Sequence, residues 1–254
     1  MTDRTLEWRV EEVCLNTWPA LREVLLGGWL LRFSEGLTRR ANSANALGAL
    51  ADIHPSDCEA LYRRLEQPAI FRILTLLDPS IDQQLERRGY TAEGESCVLY
   101  GDLDVVEAAV DPQVQLLTKP SVEWFAAMAT LQEHTGEQAR TYRKIVGRLA
   151  IPAAFASLSA EGDLVAAAFG AIHRGLLCYE SVVTGGQRRR RGNGRRIVMA
   201  LAAWAKENGA NAACLQVETG NLPARALYDA IGLKRELYRY HYRREPRDRV
   251  VTKL

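Results

Sequence analysis

A basic, glycine-containing loop is the first part of the sequence whose residue types could do chemistry. It reads Arg189-Arg190-Arg191-Gly192-Asn193-Gly194 and falls between a strand-like run and a helix-like run. Glycines let backbone N–H groups turn into one concavity and let a ligand approach the chain closely. The helix that follows adds partial positive charge at its N-terminus, and arginines donate charge-assisted hydrogen bonds. The loop therefore predicts a binding site for a diphosphate.

Further residues flank this loop at a recognisable spacing. Val182-Val183-Thr184 precedes it, and Asn221, Ala226-Leu227-Tyr228 and Gly232-Leu233 follow it. Together with the loop they resemble the Q/R-x-x-G-x-G/A loop and the N-x-x-A-x-x-L-Y-x-x-x-G-F signature of the GNAT superfamily of N-acetyltransferases. The resemblance covers Leu164 to Arg243, with leucine in place of the final phenylalanine.

The resemblance implies that acetyl-CoA is the co-substrate. By this resemblance Val182 to Thr184 offer strand backbone to the pantetheine arm, and Arg190 to Arg195 surround the phosphates. Asn221 then contacts the arm, and Tyr228 lies near the sulfur. The cofactor-binding residues implied in this way are Val182, Val183, Thr184, Arg189, Arg190, Arg191, Gly192, Asn193, Gly194, Arg195 and Asn221.

Acetyl transfer to an amine makes three chemical demands. The ammonium group must lose a proton, the thioester oxygen must be stabilised as it becomes an oxyanion, and the leaving thiolate must receive a proton or a hydrogen bond. Backbone N–H groups near Val183 suit the oxyanion. Tyr228 suits the thiolate, because a phenol with a pKa of ~10 can donate to a less basic sulfur.

Two carboxylates are candidates for the general base. Glu180 lies in the strand before the loop, where many relatives place a carboxylate, and it ranks ahead of Glu218. Some relatives have glutamate where this chain has Gln216, whose amide cannot serve as a base. Glu218 comes two residues later and so faces the same side of that strand. A chain of water molecules is the third possibility.

The composition limits the classes of partner that we expect for this protein. The chain has 254 residues, of which 47% are hydrophobic and 25% charged, and its net charge is +2. Such a balance is typical of a globular protein, whereas a dedicated nucleic-acid binder carries a larger basic excess. No aromatic residues interleave with the arginines, and no apolar run reaches the ~20 residues of a membrane helix. We expect a small-molecule or peptide amine as partner, and neither nucleic acid nor membrane.

The cysteines and histidines lack the spacing of metal or disulfide motifs. The four histidines show no metal-ligand pattern, and the five cysteines are far apart without any C-x-x-C pair. We therefore expect buried free thiols, no metal, and a cytoplasmic location, because the N-terminal segment also lacks the apolar stretch of a signal peptide. The cysteines are Cys14, Cys58, Cys97, Cys178 and Cys214.

The sequence predicts alternating strands and helices, and these elements must position the candidate site residues. Asp78, Ser121 and Asn221 are predicted helix caps, and Gly209 a helix end. The predicted strands are Trp29–Phe33, Thr38–Asn42, Ala69–Leu77, Tyr90–Leu103, Ala153–Leu158, Leu164–Ile172, Leu176–Thr184, Ala212–Val217 and Leu237–Arg243. With the resemblance, they indicate an α/β (α+β) fold, in which helices flank a mixed, mostly antiparallel GNAT-type sheet.

The two halves of the sequence align at one fixed offset. Gly89-Tyr90 matches Gly232-Leu233, and the same offset places Asp78 on Asn221 and Leu85 on Tyr228. The first half lacks a glycine-rich loop before its long helix and has leucine at the tyrosine position. We therefore expect two tandem GNAT-like domains, a degenerate one over residues 1–112 and a catalytic one over 113–254, with Asp111 to Pro120 as the linker or crossover.

The predicted function is acetyl-CoA-dependent N-acetylation of a primary amine by direct attack. Amino acids, aminoglycosides, polyamines and protein N-termini all fit the motifs equally well. The alternative is a non-catalytic acyl-CoA-binding regulatory module, which the degenerate first half and the amide of Gln216 favour, whereas Tyr228 favours the enzyme. We also expect the first half to shape the acceptor pocket through Arg39, Arg40, Asn42 and Asn45.

Overall fold

One eleven-stranded sheet runs through the described part of the protein, residues 5–49 and 54–246 of a computed structural model. Its spatial order is β1-β2-β3-β4-β11-β5-β10-β9-β8-β7-β6. The strands are β1 (Arg22–Leu26), β2 (Trp29–Phe33), β3 (Ala44–Ala46), β4 (Ile70–Leu74), β5 (Thr91–Asp102), β6 (Val114–Leu117), β7 (Ala153–Ala160), β8 (Asp163–His173), β9 (Leu176–Thr184), β10 (Ala212–Glu218) and β11 (Arg235–Arg244).

Seven α-helices flank this sheet within the described ranges. They are α1 (Thr5–Thr17), α2 (Pro55–Arg63), α3 (Pro79–Arg87), α4 (Val122–Leu131), α5 (Gly136–Val146), α6 (Asn193–Glu207) and α7 (Leu222–Ala230). The predicted caps are confirmed: Asp78 accepts a hydrogen bond from Ser80 N, Ser121 from Trp124 N and Asn221 from Ala224 N. Across the described chain, no helix is long and apolar enough to cross a membrane.

The sheet is mixed and mostly antiparallel, as predicted. Among the described strand pairs only β3–β4 and β9–β10 are parallel. Each of these parallel pairs precedes the same succession of elements, namely a capped helix, a glycine with positive φ, and a long strand. In the first half these are α3, Gly89 (φ +80°) and β5; in the second they are α7, Gly232 (φ +105°) and β11.

The long strand that ends each succession, β5 or β11, pairs with a strand from the other half of the chain. Strand β5, from the first half, pairs antiparallel with β10 of the second half over Ser96–Asp102. Strand β11, from the second half, pairs antiparallel with β4 of the first half over Tyr240–Arg244. Strands β5 and β11 also pair with each other and so lie side by side at the centre of the sheet.

Two local predictions were wrong. The residues Thr38–Asn42 form a loop instead of a strand, because the Asn42 side chain holds the backbone there. Asn42 Oδ1 accepts hydrogen bonds from Ser34 N (2.7 Å) and Gly36 N (3.1 Å), and its Nδ2 donates to Thr38 O (2.7 Å). The segment predicted as a linker or crossover, without a strand, contains β6, which pairs with β7 at the edge of the sheet. The segment before α2 includes residues 50–53, which lie outside the described residues.

Helix α1 packs against β8, β9 and β10 and is anchored by a buried ion pair. Arg72 on β4 donates to both carboxylate oxygens of Glu11, one of these bonds at 3.1 Å, and Tyr238 donates to Glu11 at 2.6 Å. Arg72 and Glu11 are 0% and 1% exposed. Removing one partner of such a buried pair strongly destabilises a protein. The pair therefore fixes the position of α1. The end of α1 thereby reaches the second half of the chain.

Candidate active site

The site begins where two parallel strands separate. Strands β9 and β10 pair only over Leu176–Cys178 and Ala212–Cys214, and beyond those residues the ladder stops. The edge of β9 that faces β10 therefore leaves its backbone N–H and C=O groups available to another extended chain. A cavity of about 280 Å³ lies in this opening. It is lined by Trp18, Leu37, Thr38, Arg40, Gln132, His134, Tyr142, Tyr179, Glu180, Ser181, Val182, Leu215, Gln216, Val217, Glu218, Asn221, Ala224 and Tyr228.

A β-bulge bends β9 at the cavity. The register with β8 shifts between Ala167–Val183 and Phe169–Glu180, so that Ser181 and Val182 together oppose one residue. Ser181 has φ +53°, an uncommon conformation for a residue with a side chain. Bulges re-aim side chains and backbone groups next to functional sites. Tyr179 and Glu180 directly precede the bulge, and both line the cavity.

The basic loop lies beyond the end of β9 and leads into α6. Gly192 is the residue before the helix, has φ +78° and has open space where a Cβ would stand. Among the side chains that the structure describes, none caps this helix, so its first N–H groups remain available to a ligand. Gly194 lies against the end of β9, since a Cβ on Gly194 would stand 3.4 Å from Thr184 Oγ1. The predicted loop and helix start are confirmed.

The arginines around the loop divide into paired and unpaired groups. Arg188 pairs with Glu161 (2.7 Å), Arg195 pairs with Glu107, and Arg196 donates to Asp111 (2.5 and 2.9 Å). Among the described residues, no acidic partner lies within ion-pair distance of Arg189, Arg190 or Arg191. These three side chains therefore remain available to an anionic ligand.

Tyr228 lies on α7 and lines the cavity with 7% of its surface exposed. Burial raises the pKa of its phenol above the ordinary value, and the negative charge of Glu180 raises it further. The hydroxyl is therefore protonated throughout the physiological pH range and can act as a donor. Asn221, which caps α7, lines the same cavity.

Glu180 is held by an arginine from the first half. Both of its oxygens accept hydrogen bonds from Arg40, at 2.8 and 2.6 Å, and Thr17 lies 3.4 Å from Oε1. Burial raises the pKa of Glu180, whereas the guanidinium opposes that rise. Burial alone would lower the pKa of Arg40, but the Glu180 carboxylate outweighs it and the net shift is upward. The carboxylate is thus a paired group rather than a free base.

The other two polar residues considered for the base differ in environment. Gln216 Oε1 accepts hydrogen bonds from Arg40 (2.8 Å) and Tyr240 (3.1 Å), which fixes its amide. Glu218 is exposed, with a distance of 3.4 Å to Arg39 as its nearest ion pair. Glu218 is therefore held less tightly by its neighbours than Glu180 is.

Three residues that the sequence did not single out complete the cavity wall. They are Trp18, Tyr142 and Tyr179, which are 2%, 2% and 3% exposed. The hydroxyl of Tyr179 and the Nε2 atom of Gln216 have no hydrogen-bond partner within the described chain. Buried polar groups normally find partners, so these donors indicate that the cavity accommodates polar atoms or water. Only Tyr179 had a sequence signal, its place beside Glu180 in a predicted strand.

The first-half residues expected at the acceptor pocket separate in the structure. Arg40 lines the cavity. Arg39 and Arg40 both line an adjoining groove of about 510 Å³, which shares Gln216 and Glu218 with the cavity. Asn42 holds the loop described above instead, and Asn45 donates to Ser43 O at 2.7 Å. These two asparagines therefore stabilise local backbone and do not line either opening.

Solved structures of GNAT proteins share this architecture. A GCN5-related N-acetyltransferase from Kribbella flavida superposes with a TM-score of 0.66 over 96% of this chain and 93% of its own, at 17% identity. A tandem GNAT protein from the clavulanic acid biosynthesis pathway gives a TM-score of 0.61 over 80% of this chain and 74% of its own, at 14% identity. At such identities the likeness concerns the fold, which is that of the GNAT superfamily.

The sequence comparison makes the assignment more specific. The chain belongs to the acetyltransferase family described as "Probable histone acetyltransferase Rv0428c C-terminal", whose sequence model matches residues 7–243. It is also 27% identical over 243 residues to "Uncharacterized N-acetyltransferase YobR" of Bacillus subtilis (strain 168), which covers 92% of this chain and 97% of that protein. The predicted GNAT superfamily and the predicted acetyltransferase class are thereby confirmed.

Proposed function

We propose that this acetyltransferase moves the acetyl group of acetyl-CoA to a primary amine of a small molecule or peptide by direct attack. The observation that carries the proposal is the opening between β9 and β10, with the unpaired arginines at its outer end and Tyr228 inside it. The diphosphate would meet Arg189, Arg190, Arg191 and the N-terminus of α6. The pantetheine arm would then bond as an extended strand to Val182, Val183 and Thr184.

The reaction follows from the groups around the cavity. A neutral amine attacks the thioester carbon, and backbone N–H groups at the bulge near Val182 and Val183 stabilise the oxyanion. As the C–S bond breaks, the Tyr228 hydroxyl donates its proton to the leaving sulfur. The proton of the amine passes to Glu218 or, through water, to the Glu180–Arg40 pair. Each of these groups lines the cavity or borders it.

The first half would contribute to the acceptor side. We propose residues 113–254 as the catalytic domain and residues 1–112 as a degenerate domain that supplies Trp18, Thr38 and Arg40 to the cavity wall. The adjoining groove is the proposed entrance for the amine, because it reaches Gln216 and Glu218 without crossing the basic loop. The five buried free thiols are compatible with a reducing compartment such as the cytoplasm.

Calorimetry and a turnover assay test this function. We expect acetyl-CoA to bind at one site per chain, because only the second half carries the glycine and arginine loop. Amines from a metabolite and peptide library should then release free CoA in an acetyl-CoA-dependent reaction. Two equal sites per chain would contradict a degenerate first half. Tight binding without release of CoA by any amine would favour the regulatory module instead.

Replacing Gly192 with Asp is expected to weaken acetyl-CoA binding by about 10-fold or more. The new carboxylate would stand at the N-terminus of α6 and repel the phosphates. The matched control is Gly209→Asp, at the opposite end of the same helix. Gly209 has φ +82° and equally open surroundings, so both variants carry similar backbone strain. Equal affinities of the two variants for acetyl-CoA, measured by calorimetry, would rule out the proposed phosphate site.

A further inference from the structure

Three cysteines from three separate elements meet at the closed end of the strand opening. Cys178 on β9 and Cys214 on β10 are direct partners in the parallel ladder, and Cys14 reaches them from α1. Their three Sγ atoms all lie within 4.8 Å of one another, and each residue is 0% exposed. Within residues 5–49 and 54–246, this is the one group of three His, Cys, Asp or Glu side chains close enough to share a metal ion.

The spacing of the sulfurs fits a soft cation. A metal at the usual Zn–S distance of ~2.3 Å from three thiolates holds their sulfurs ~3.8–4.0 Å apart. The sulfurs lie within 4.8 Å of one another, so they need to approach by no more than about 1 Å to reach this spacing. Thiolate-only donor sets select thiophilic metals such as Zn²⁺ and Cu⁺ over the hard cations Mg²⁺ and Ca²⁺.

Charged groups beside the cluster suit a site of this kind. Glu180 Oε1 lies 3.9 Å from Cys178 Sγ and so borders the cluster. The positive charges of Arg40 and Arg72, which also pair with Glu180 and Glu11, both act on Cys14 and would offset part of the negative charge of a thiolate there. A buried anionic cluster needs such compensation, because isolated buried charge is costly.

We propose that Cys14, Cys178 and Cys214 form a buried binding site for one thiophilic d10 cation. Binding forms three metal–sulfur bonds and releases the three thiol protons to solvent. The cation would join α1, from the first half, to the two strands at the vertex of the opening. The proposal concerns this cluster alone and does not depend on whether the cavity beside it performs acetyl transfer.

Cadmium ion serves as the probe, because cadmium–thiolate bonds have a charge-transfer band in the ultraviolet. The reduced protein is refolded in the presence of Cd²⁺, so that burial does not prevent entry, and is then passed over a chelating resin. We expect one bound Cd²⁺ per chain with the charge-transfer band. We also expect a rise in Tm of roughly 5 °C or more when free Cd²⁺ is ~100-fold above its Kd.

Cysteine variants separate this site from ordinary thiols. Cys14→Ala, Cys178→Ala and Cys214→Ala should each lose the Tm rise and weaken Cd²⁺ binding by at least ~10-fold. The control is the double variant Cys58→Ala/Cys97→Ala, which removes two other buried free thiols and should bind like the wild type. Metal-free melting curves establish that each variant folds. A wild type that retains no Cd²⁺, or Cd²⁺ binding that survives in the folded Cys14→Ala variant, would overturn the proposal.

Discussion

Replacing Tyr228 with Phe is expected to lower kcat for acetyl transfer by about 100-fold or more, the usual scale for loss of a general acid. The substitution keeps the ring and its packing on α7 and removes only the hydroxyl. Affinity for acetyl-CoA should therefore change little, since the loop and strand contacts remain. Steady-state kinetics and calorimetry on the same preparation measure the two quantities separately.

The pH profile gives a second readout of the same group. Because burial and Glu180 raise the pKa of Tyr228, the acidic form persists as pH rises above ~10, the ordinary pKa of a phenol. The wild-type rate should therefore show no decrease from loss of this proton up to that pH. Tyr100→Phe, which removes a hydroxyl bound to Asp102 outside the cavity, is the control and should retain its rate. Full activity in Tyr228→Phe would leave the phenol as packing only.

Replacing Arg40 with Met is expected to destabilise the protein by roughly 3–5 kcal/mol, because it leaves the Glu180 carboxylate buried without its partner. The side chains of Arg40 and Glu180 are 17% and 5% exposed. The neighbouring variant Arg39→Met is the control. Arg39 pairs with the exposed Glu218, so its loss should cost less than about 1 kcal/mol. Denaturant unfolding of both variants measures the difference.

The double variant Arg40→Met/Glu180→Leu distinguishes a lost contact from an orphaned charge. With both charges removed, most of the stability should return. Activity should not return with it, because the proposed acceptor side has lost Arg40. A double variant as unstable as Arg40→Met would show that packing, not charge, accounts for the loss. Unchanged acceptor KM and kcat in Arg40→Met would remove Arg40 from the acceptor pocket.

Local signals predicted most elements of the fold. The predicted strand Trp29–Phe33 coincides with β2, and the caps at Asp78, Ser121 and Asn221 start the helices expected of them. These features depend on residues a few positions apart, which a sequence displays directly. The glycine and arginine loop before α6 is also a local feature of this kind, and it indicated the correct superfamily.

Features made by distant residues were not predicted. Arg40 and Glu180 are separated by 140 positions, and no spacing rule links them. The convergence of Cys14, Cys178 and Cys214 likewise depends on how α1 packs against two strands. The strand predicted at Thr38–Asn42 does not form, and the reason is local. The Asn42 side chain there makes hydrogen bonds to nearby backbone groups. The catalytic and cofactor-binding roles assigned to individual residues stay predictions.

The side-by-side position of β5 and β11 limits how this chain can be shortened. Strand β10 borders the cavity on one side and is paired on the other with β5, a segment encoded in the first half. A deletion that removed the first half would strip this strand of its neighbour, and the converse deletion would do the same to β4. A protein built from either half alone would thus require a new strand pairing. The first half completes the pairing of β10, whether or not it binds a ligand of its own.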